Sequence, residues 1–213
     1  MSRFTILLGG DLNVTPRLRT QVRGSRFIAA DSGMMHAAVL RVVPELWVGD
    51  FDSSGSELVV QYRDVPRESF PAEKDATDGA LAVAEAIRRG ASEIILLGGL
   101  GGQTDHTAGL LGQSRPIAKG GYQCLLTSGH EEGYPLIAGV HELDLPVTSR
   151  LSIIPFTDIE GLDLHGVKWP LANRAVPLGS TLTLTNIVTG PVTIKVRSGQ
   201  GIAIAYPPVP SDD

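Results

Sequence analysis

The chain has 213 residues, a formal net charge of −5, 42% hydrophobic residues and 19% charged residues. Length and apolar content suit a substantial core in one large or two small domains and argue against a disordered chain. The acidic balance, with no block of Lys or Arg, argues against bulk attraction to nucleic acid, so an anionic substrate must be met by local devices such as a metal ion, helix N-termini or a few placed cations.

MSRFTILLGGDLN begins with a short apolar run that stops at glycines and an aspartate, and it reads as a first β-strand rather than a signal peptide. FTILLGG, RFIAADSG, ELWVGDFD and EIILLGG read as buried strands, each closing on Gly or Asp. The clearest helix is TDGALAVAEAIRRG, with a broad apolar face, a cap at Thr77 or Asp75 and a stop at Gly90. Strands alternating with helices predict a Rossmann-like, mainly parallel sheet whose ligand crevice lies outside the carboxyl ends of the strands. Near Tyr122 the character changes. QCLLTS is strand-like, GHEEGYP carries turn signals, and helical patterns disappear from about Thr148. TLTLTN, PVTIKV and GIAIAY alternate with period 2, which predicts a small antiparallel sandwich or barrel. The expected organisation is an α/β domain over 1–122 and a β-sandwich domain over 123–213, with PPVPSDD a loose tail. The lone Cys124 allows no intrachain disulfide and reads as a small buried apolar residue in a reducing compartment. No apolar stretch is long enough to span a bilayer, so no membrane association is expected and the default location is cytoplasmic.

Three acidic clusters follow in order: GDFD with Asp50 and Asp52, KDATD with Asp75 and Asp78, and QTDH with Asp105; Asp31 ends a further predicted strand. In an extended strand Asp50 and Asp52 share one side while Phe51 turns away, and two like charges there need a cation or open solvent. Mg²⁺ takes one or two carboxylates plus phosphate oxygens, so Asp50 and Asp52 form a natural pair and Asp78 a possible third ligand. Asp75 and Asp78 have an ordinary reading too, since acidic residues in a first helical turn complement the helix dipole. In LLGGLGGQTDH, glycines let backbone N–H groups approach an anion ahead of a helix N-terminus, although the run matches neither the dinucleotide fingerprint nor a P-loop. Lys74 is the one cation embedded among the carboxylates; it could neutralise them or contact phosphate. His106 reads as a hydrogen-bonded structural histidine. Cys/His ligand spacing and a serine-hydrolase elbow are both missing, which argues against a zinc site and against that nucleophile. Trp169 can be a core anchor or a stacking surface for a flat or cationic ligand. Thr185 and Asn186 can form a turn or bond a heteroaromatic ring.

Taken together, GDFDS (Gly49–Ser53), KDATD (Lys74–Asp78), GGLGGQTDH (Gly98–His106), GVKWPL (Gly166–Leu171) and Thr185-Asn186 resemble the thiamine pyrophosphokinase family in motif, order and spacing over nearly the whole chain. The resemblance implies transfer of a diphosphoryl group from ATP to the hydroxyl of thiamine, giving thiamine diphosphate and AMP. It implies Mg²⁺ held by Asp50, Asp52 and Asp78, with Asp105 and Lys74 beside them in catalysis. Asp31, Ser53, Asp75, Thr77, Gly101, Gly102, Gln103 and His106 are then nucleotide-orienting residues. Trp169 would cover the cationic thiamine, and Thr185 and Asn186 would hold its pyrimidine. The family pattern also implies a homodimer whose site lies between the α/β part of one subunit and the β part of the other. Two positions depart from it: Gln103 stands where the family carries Arg, and Leu110 where it carries Asn. Those departures keep open a catalytically weak thiamine- or nucleotide-binding protein on the same fold. A Mg²⁺-dependent phosphohydrolase is the other alternative, though it leaves Trp169 and Asn186 without a purpose.

Overall fold

The computed structural model describes residues 2–51, 56–69 and 76–208. Strands and helices alternate first: β1 (Arg3–Leu7), α1 (Pro16–Gln21), β2 (Arg26–Ala30), α2 (Met35–Leu40), β3 (Leu46–Gly49), α3 (Ser56–Gln61), β4 (Arg67–Ser69), α4 (Asp78–Arg88), β5 (Glu93–Leu97), α5 (Thr104–Lys119) and β6 (Gln123–Thr127). Strands alone follow: β7 (Glu132–Leu136), β8 (Gly139–Leu143), β9 (Arg150–Pro155), β10 (Ile159–Val167), β11 (Leu171–Val176), β12 (Asn186–Val196) and β13 (Gly201–Tyr206). The protein is a mixed α/β fold whose sheet is parallel in its first part and antiparallel in its second.

The parallel strands lie in the order β6-β5-β1-β2-β3-β4. From β1 the chain steps outward through β2, β3 and β4, then crosses back to place β5 and β6 on the other side. That reversal, between β1 and β5, is where a parallel sheet opens a crevice at its carboxyl ends. The strands read as apolar runs because both faces are covered. Phe4, Ile6, Ile28, Val48, Ile94 and Leu96 pack with Ala82, Val83 and Ala86 of α4 and Ile117 of α5. On the other face Leu7, Ala29, Trp47, Ile95 and Leu97 pack with Leu18 of α1, Ala37 and Leu40 of α2, and Tyr62. The helix expected over 77–90 forms as α4, with the Thr77 hydroxyl accepting from Ala80 N at 3.2 Å and Gly90 leaving in a left-handed conformation at φ 85°. No helix among the described residues is long and apolar enough to cross a membrane.

The parallel set runs on to Thr127, because β6 pairs in register with β5 from Gln123 to Thr127. Strand sense reverses at the β6–β7 turn, and β7, β13, β9, β12 and β10 then continue the same hydrogen-bonded path antiparallel, with β8 and β11 attached. Leu151, Ile153, Leu162, Leu164, Ile194 and Ala203 centre a second core. PVTIKV and GIAIAY are strands as expected, inside β12 and as β13. TLTLTN is not. Residues 181–185 form a turn, and only Asn186 enters β12. The alternation there reflects a buried Thr183 between exposed Leu182 and Leu184. Thr183 Oγ1 donates to Ile153 O at 2.6 Å and Ile153 N donates to Thr183 O at 3.0 Å, so this turn is tied to β9 without becoming its partner strand.

Candidate active site

A cavity of about 1260 Å³ opens at the carboxyl ends of β1, β2, β3 and β5. Gly9 and Gly10 after β1, Asp31 after β2, Asp50 after β3, Gly98, Gly101 and Gly102 after β5, and Thr77 and Asp78 at the start of α4 all line it. Gln103, Asp105, His106 and Leu110 from the start of α5 complete one side. Of the residues singled out from the sequence, the structure therefore brings Asp31, Asp50, Thr77, Asp78, Gly101, Gly102, Gln103, Asp105 and His106 into one cavity. Asp52, Ser53, Lys74 and Asp75 lie outside the described residues.

Glycines form the floor because no side chain fits. A Cβ on Gly10 would lie 2.2 Å from Gly98 O, and one on Gly98 would lie 2.5 Å from Leu8 O. The turns after β1 and β5 thus touch backbone to backbone, leaving amide groups at the crevice. Three residues not foreseen from the sequence hold this floor. His36 is buried and Nε2 bonds Gly10 O at 2.9 Å. Asp11 Oδ2 accepts from Gly102 N at 3.0 Å. Thr107 Oγ1 adds a bond to Gly101 O at 2.9 Å. Burial pushes the His36 imidazole below its ordinary 6.5, against the pull of the Gly10 and Leu8 carbonyls and the Asp11 carboxylate. It is a neutral donor at physiological pH. A buried His paired with a Gly-rich turn was the available signal, but sequence spacing does not reveal which carbonyl it meets.

The carboxylates are reached by bent backbone, not by an extended strand. β3 ends at Gly49, and Phe51 is left-handed at φ 65°, so Asp50 follows the strand rather than standing in it; the expected pairing with Asp52 lies outside the described residues. The Phe51 ring meets Trp47 edge-on at 5.1 Å, which anchors the turn from the core side. Asp31 is also left-handed, at φ 45°, a conformation Asp tolerates better than most residues. Its carbonyl accepts from Trp47 Nε1 at 2.9 Å, and a Cβ on Gly49 would lie 3.3 Å from its Cα. Asp78 occupies the first turn of α4 behind the Thr77 cap. Asp105 Oδ1 accepts from His106 N at 2.9 Å, and both residues are exposed. Among the described residues no three acidic, imidazole or thiol groups are gathered as a metal cage. Asp31, Asp50 and Asp78 line one cavity without forming such a cage, and carboxylate oxygens are the donor type a hard cation takes. Gln103 is the N-cap of α5 and makes no side-chain cap bond. Burial pushes the Cys124 thiol up to about 12, so it offers no thiolate.

Trp169, Thr185 and Asn186 do not line the cavity. Trp169 follows β10, is 53% exposed and has Lys168 Nζ 4.7 Å from its ring centroid, so the indole already receives a cation. Thr185 is left-handed at φ 62°, and Asn186 is bonded to the Trp169 backbone.

Fold and cavity together define an α/β protein with a cavity beyond the carboxyl ends of a parallel sheet, at the point where the strand order reverses. The family model for the thiamin pyrophosphokinase catalytic domain matches residues 21–124, and that for the thiamin pyrophosphokinase vitamin B1 binding domain matches residues 140–201. The chain is 30% identical over 199 residues to thiamine pyrophosphokinase of Bacillus subtilis (strain 168), covering 87% of this chain and 89% of that protein. It superposes on a crystal structure of thiamine pyrophosphokinase from Bacillus subtilis with a TM-score of 0.86 at 27% identity, covering 97% and 99% of the two chains. A thiamin pyrophosphokinase family protein from Enterococcus faecalis superposes with a TM-score of 0.81 at 25% identity, covering 97% and 100%. The chain belongs to the thiamine pyrophosphokinase family.

Proposed function

We propose that this protein transfers the diphosphoryl group of ATP to the hydroxyl of thiamine. The hydroxyl oxygen bonds the β-phosphorus as the bridge to the α-phosphorus breaks, and AMP leaves. The observation that carries the reading is the cavity in which Asp31, Asp50 and Asp78 share space with the Gly98–Gly102 turn and the start of α5. Transfer of this kind depends mainly on positioning and charge neutralisation, which carboxylates with a metal and backbone donors can supply. Asp50, Asp52 and Asp78 would hold Mg²⁺, which neutralises phosphate charge when bound. Gly101, Gly102, Gln103 and the N-terminus of α5 orient the phosphates, with Lys74 as the local cation and Asp31, Ser53, Asp75, Thr77, Asp105 and His106 orienting the nucleotide. Trp169 stacks on the cationic thiamine, beside Thr185 and Asn186.

The labour divides between a Rossmann-like part over 1–122, for nucleotide and metal, and a β-sandwich part over 123–213, for thiamine; β6 serves the first part's sheet from the second part's sequence. A homodimer supplies what one chain leaves apart. Among the described residues the cavity's lining comes from the α/β part, while Trp169, Leu178, Leu182 and Leu184 stand exposed on the other. A second copy that covers those side chains would bring its Trp169 to this cavity. The enzyme works in the cytoplasm, where ATP is abundant and Cys124 stays reduced.

Product analysis tests the reaction: purified protein is incubated with ATP and Mg²⁺, with and without thiamine. AMP that appears only with thiamine, alongside thiamine diphosphate, is expected. Folded protein that binds thiamine without releasing AMP would instead point to a binding protein that lost turnover with the family's Arg at Gln103. Phosphate or diphosphate released without thiamine would point to a hydrolase.

A further inference from the structure

Asn186 opens β12 at 7% exposure, and its side chain makes three hydrogen bonds within its own protein. Oδ1 accepts from Trp169 N at 3.1 Å and from Ile187 N at 2.9 Å, while Nδ2 donates to Trp169 O at 2.8 Å. The amide orientation follows from its partners, since Trp169 N–H can only donate and Trp169 C=O can only accept. An amide oxygen has two lone pairs, and both are used. Next to this clasp Lys168 N donates to Ile187 O at 2.8 Å, so the Lys168-Trp169 and Asn186-Ile187 dipeptides are stitched together.

The residue before Asn186 explains how a strand-opening side chain turns back in this way. Thr185 is β-branched and left-handed at φ 62°, a conformation that persists only when its surroundings enforce it. Its N–H bonds Ser152 Oγ at 3.0 Å, and Asn186 then pairs with Leu151 of β9. The indole, by contrast, is more than half exposed, so its placement depends on its backbone rather than on burial.

We propose that Asn186 is a positioning residue for Trp169: it fixes the backbone from which the indole stands and acts on thiamine through that ring, not by its own contact. The inference rests on thiamine stacking at Trp169, and it reassigns Asn186 from ligand contact to support.

A double-variant cycle separates the two roles. Steady-state kinetics are measured for the wild type, Trp169→Ala, Asn186→Ala and the double variant, each checked for folding by its thermal melt. Each single change is expected to raise the thiamine KM roughly tenfold with the ATP KM within about twofold, and the double variant to match Trp169→Ala, because a clasp with no indole has nothing to aim. Tryptophan emission anisotropy without thiamine should fall in Asn186→Ala, the change coming from Trp169 because Trp47 is fully buried. Asn186→Asp keeps the acceptor oxygen but sets a carboxylate oxygen against Trp169 O in place of the donor, so it too should raise the thiamine KM, and it takes that variant's place in the cycle if the alanine protein does not fold. Multiplying losses, near a hundredfold in the double variant, would overturn the proposal and return Asn186 to direct contact. Unchanged anisotropy beside a raised thiamine KM would overturn it as well. Failure of thiamine stacking itself would look different: Trp169→Ala would then leave the thiamine KM unchanged.

Discussion

Gln103 holds the N-cap position of α5, where the motif resemblance leads to the expectation of Arg, and it brings a neutral amide to a place where phosphate is expected. Arg would add a permanent charge and a bidentate fork. Gln103→Arg is therefore expected to lower the KM for ATP several-fold while leaving that for thiamine nearly unchanged, as initial rates over an ATP series would show. Below the same cavity, His36 carries a pH dependence with a defined sign. Burial depresses its pKa, so the unfolded chain takes up the proton at a higher pH than the folded one. Its effect is nil above the unfolded value near 6.5 and grows as a loss of stability as pH falls toward the folded value. Thermal melts at pH 7.5 and pH 5.5 should show a drop in wild type that is smaller in His36→Gln, which keeps a donor for Gly10 O. Two glutamates away from the cavity act at lower pH. Bonds from Arg88 and Arg89 hold Glu85 below its ordinary range despite desolvation, and Arg26 and Arg89 outweigh burial at Glu45. Their contribution is lost only as pH falls below about 4.5.

At the scale of elements, α1 is held against the antiparallel strands by one buried carboxylate. Glu132 of β7 is 2% exposed and accepts from Arg17 Nε at 2.5 Å, Arg17 Nη2 at 2.9 Å, Gln21 Nε2 at 2.7 Å and Tyr134 Oη at 2.5 Å. Glu132→Ala would remove four acceptor bonds and leave Arg17 only its contacts with Asp144, with an expected loss of about 2–4 kcal/mol; Glu132→Gln should lose less. Urea unfolding with the m-value held constant would measure both. Elements were legible where a local signal was complete. The apolar face of α4, its Thr77 cap and Gly90 stop needed nothing from elsewhere. Six-residue helices such as α1 carry too few turns for a period, although Thr15 capping Leu18 N and Pro16 at the first turn mark its start. TLTLTN misled for the opposite reason: its alternation is genuine, but Thr183 bonds β9 through one side chain and one carbonyl, so no ladder forms.

For the whole molecule, the proposed homodimer with shared sites predicts complementation. Asp50→Asn removes a cavity carboxylate and Trp169→Ala the stacking ring, so at limiting thiamine the first alone should be nearly inactive and the second alone should keep about a tenth of the wild-type rate. Unfolded and refolded together in equal amounts, they should recover up to about a quarter of wild-type activity, since half the dimers are mixed and each has one intact site. No recovery, in a dimer shown by light scattering to have mixed, would place both halves of the site in one chain. By itself the sequence determined the strand cores, α4, the acidic and glycine-rich turns and the family to which they belong, because apolar periodicity and short motifs are local properties. Only the tertiary structure decided that β1 and β5 flank the reversal in strand order, that Asp11 and His36 brace the glycine floor, and that Asn186 clasps Trp169. Each of these joins residues distant in sequence, and such pairings are chosen by backbone bonding and close packing across elements.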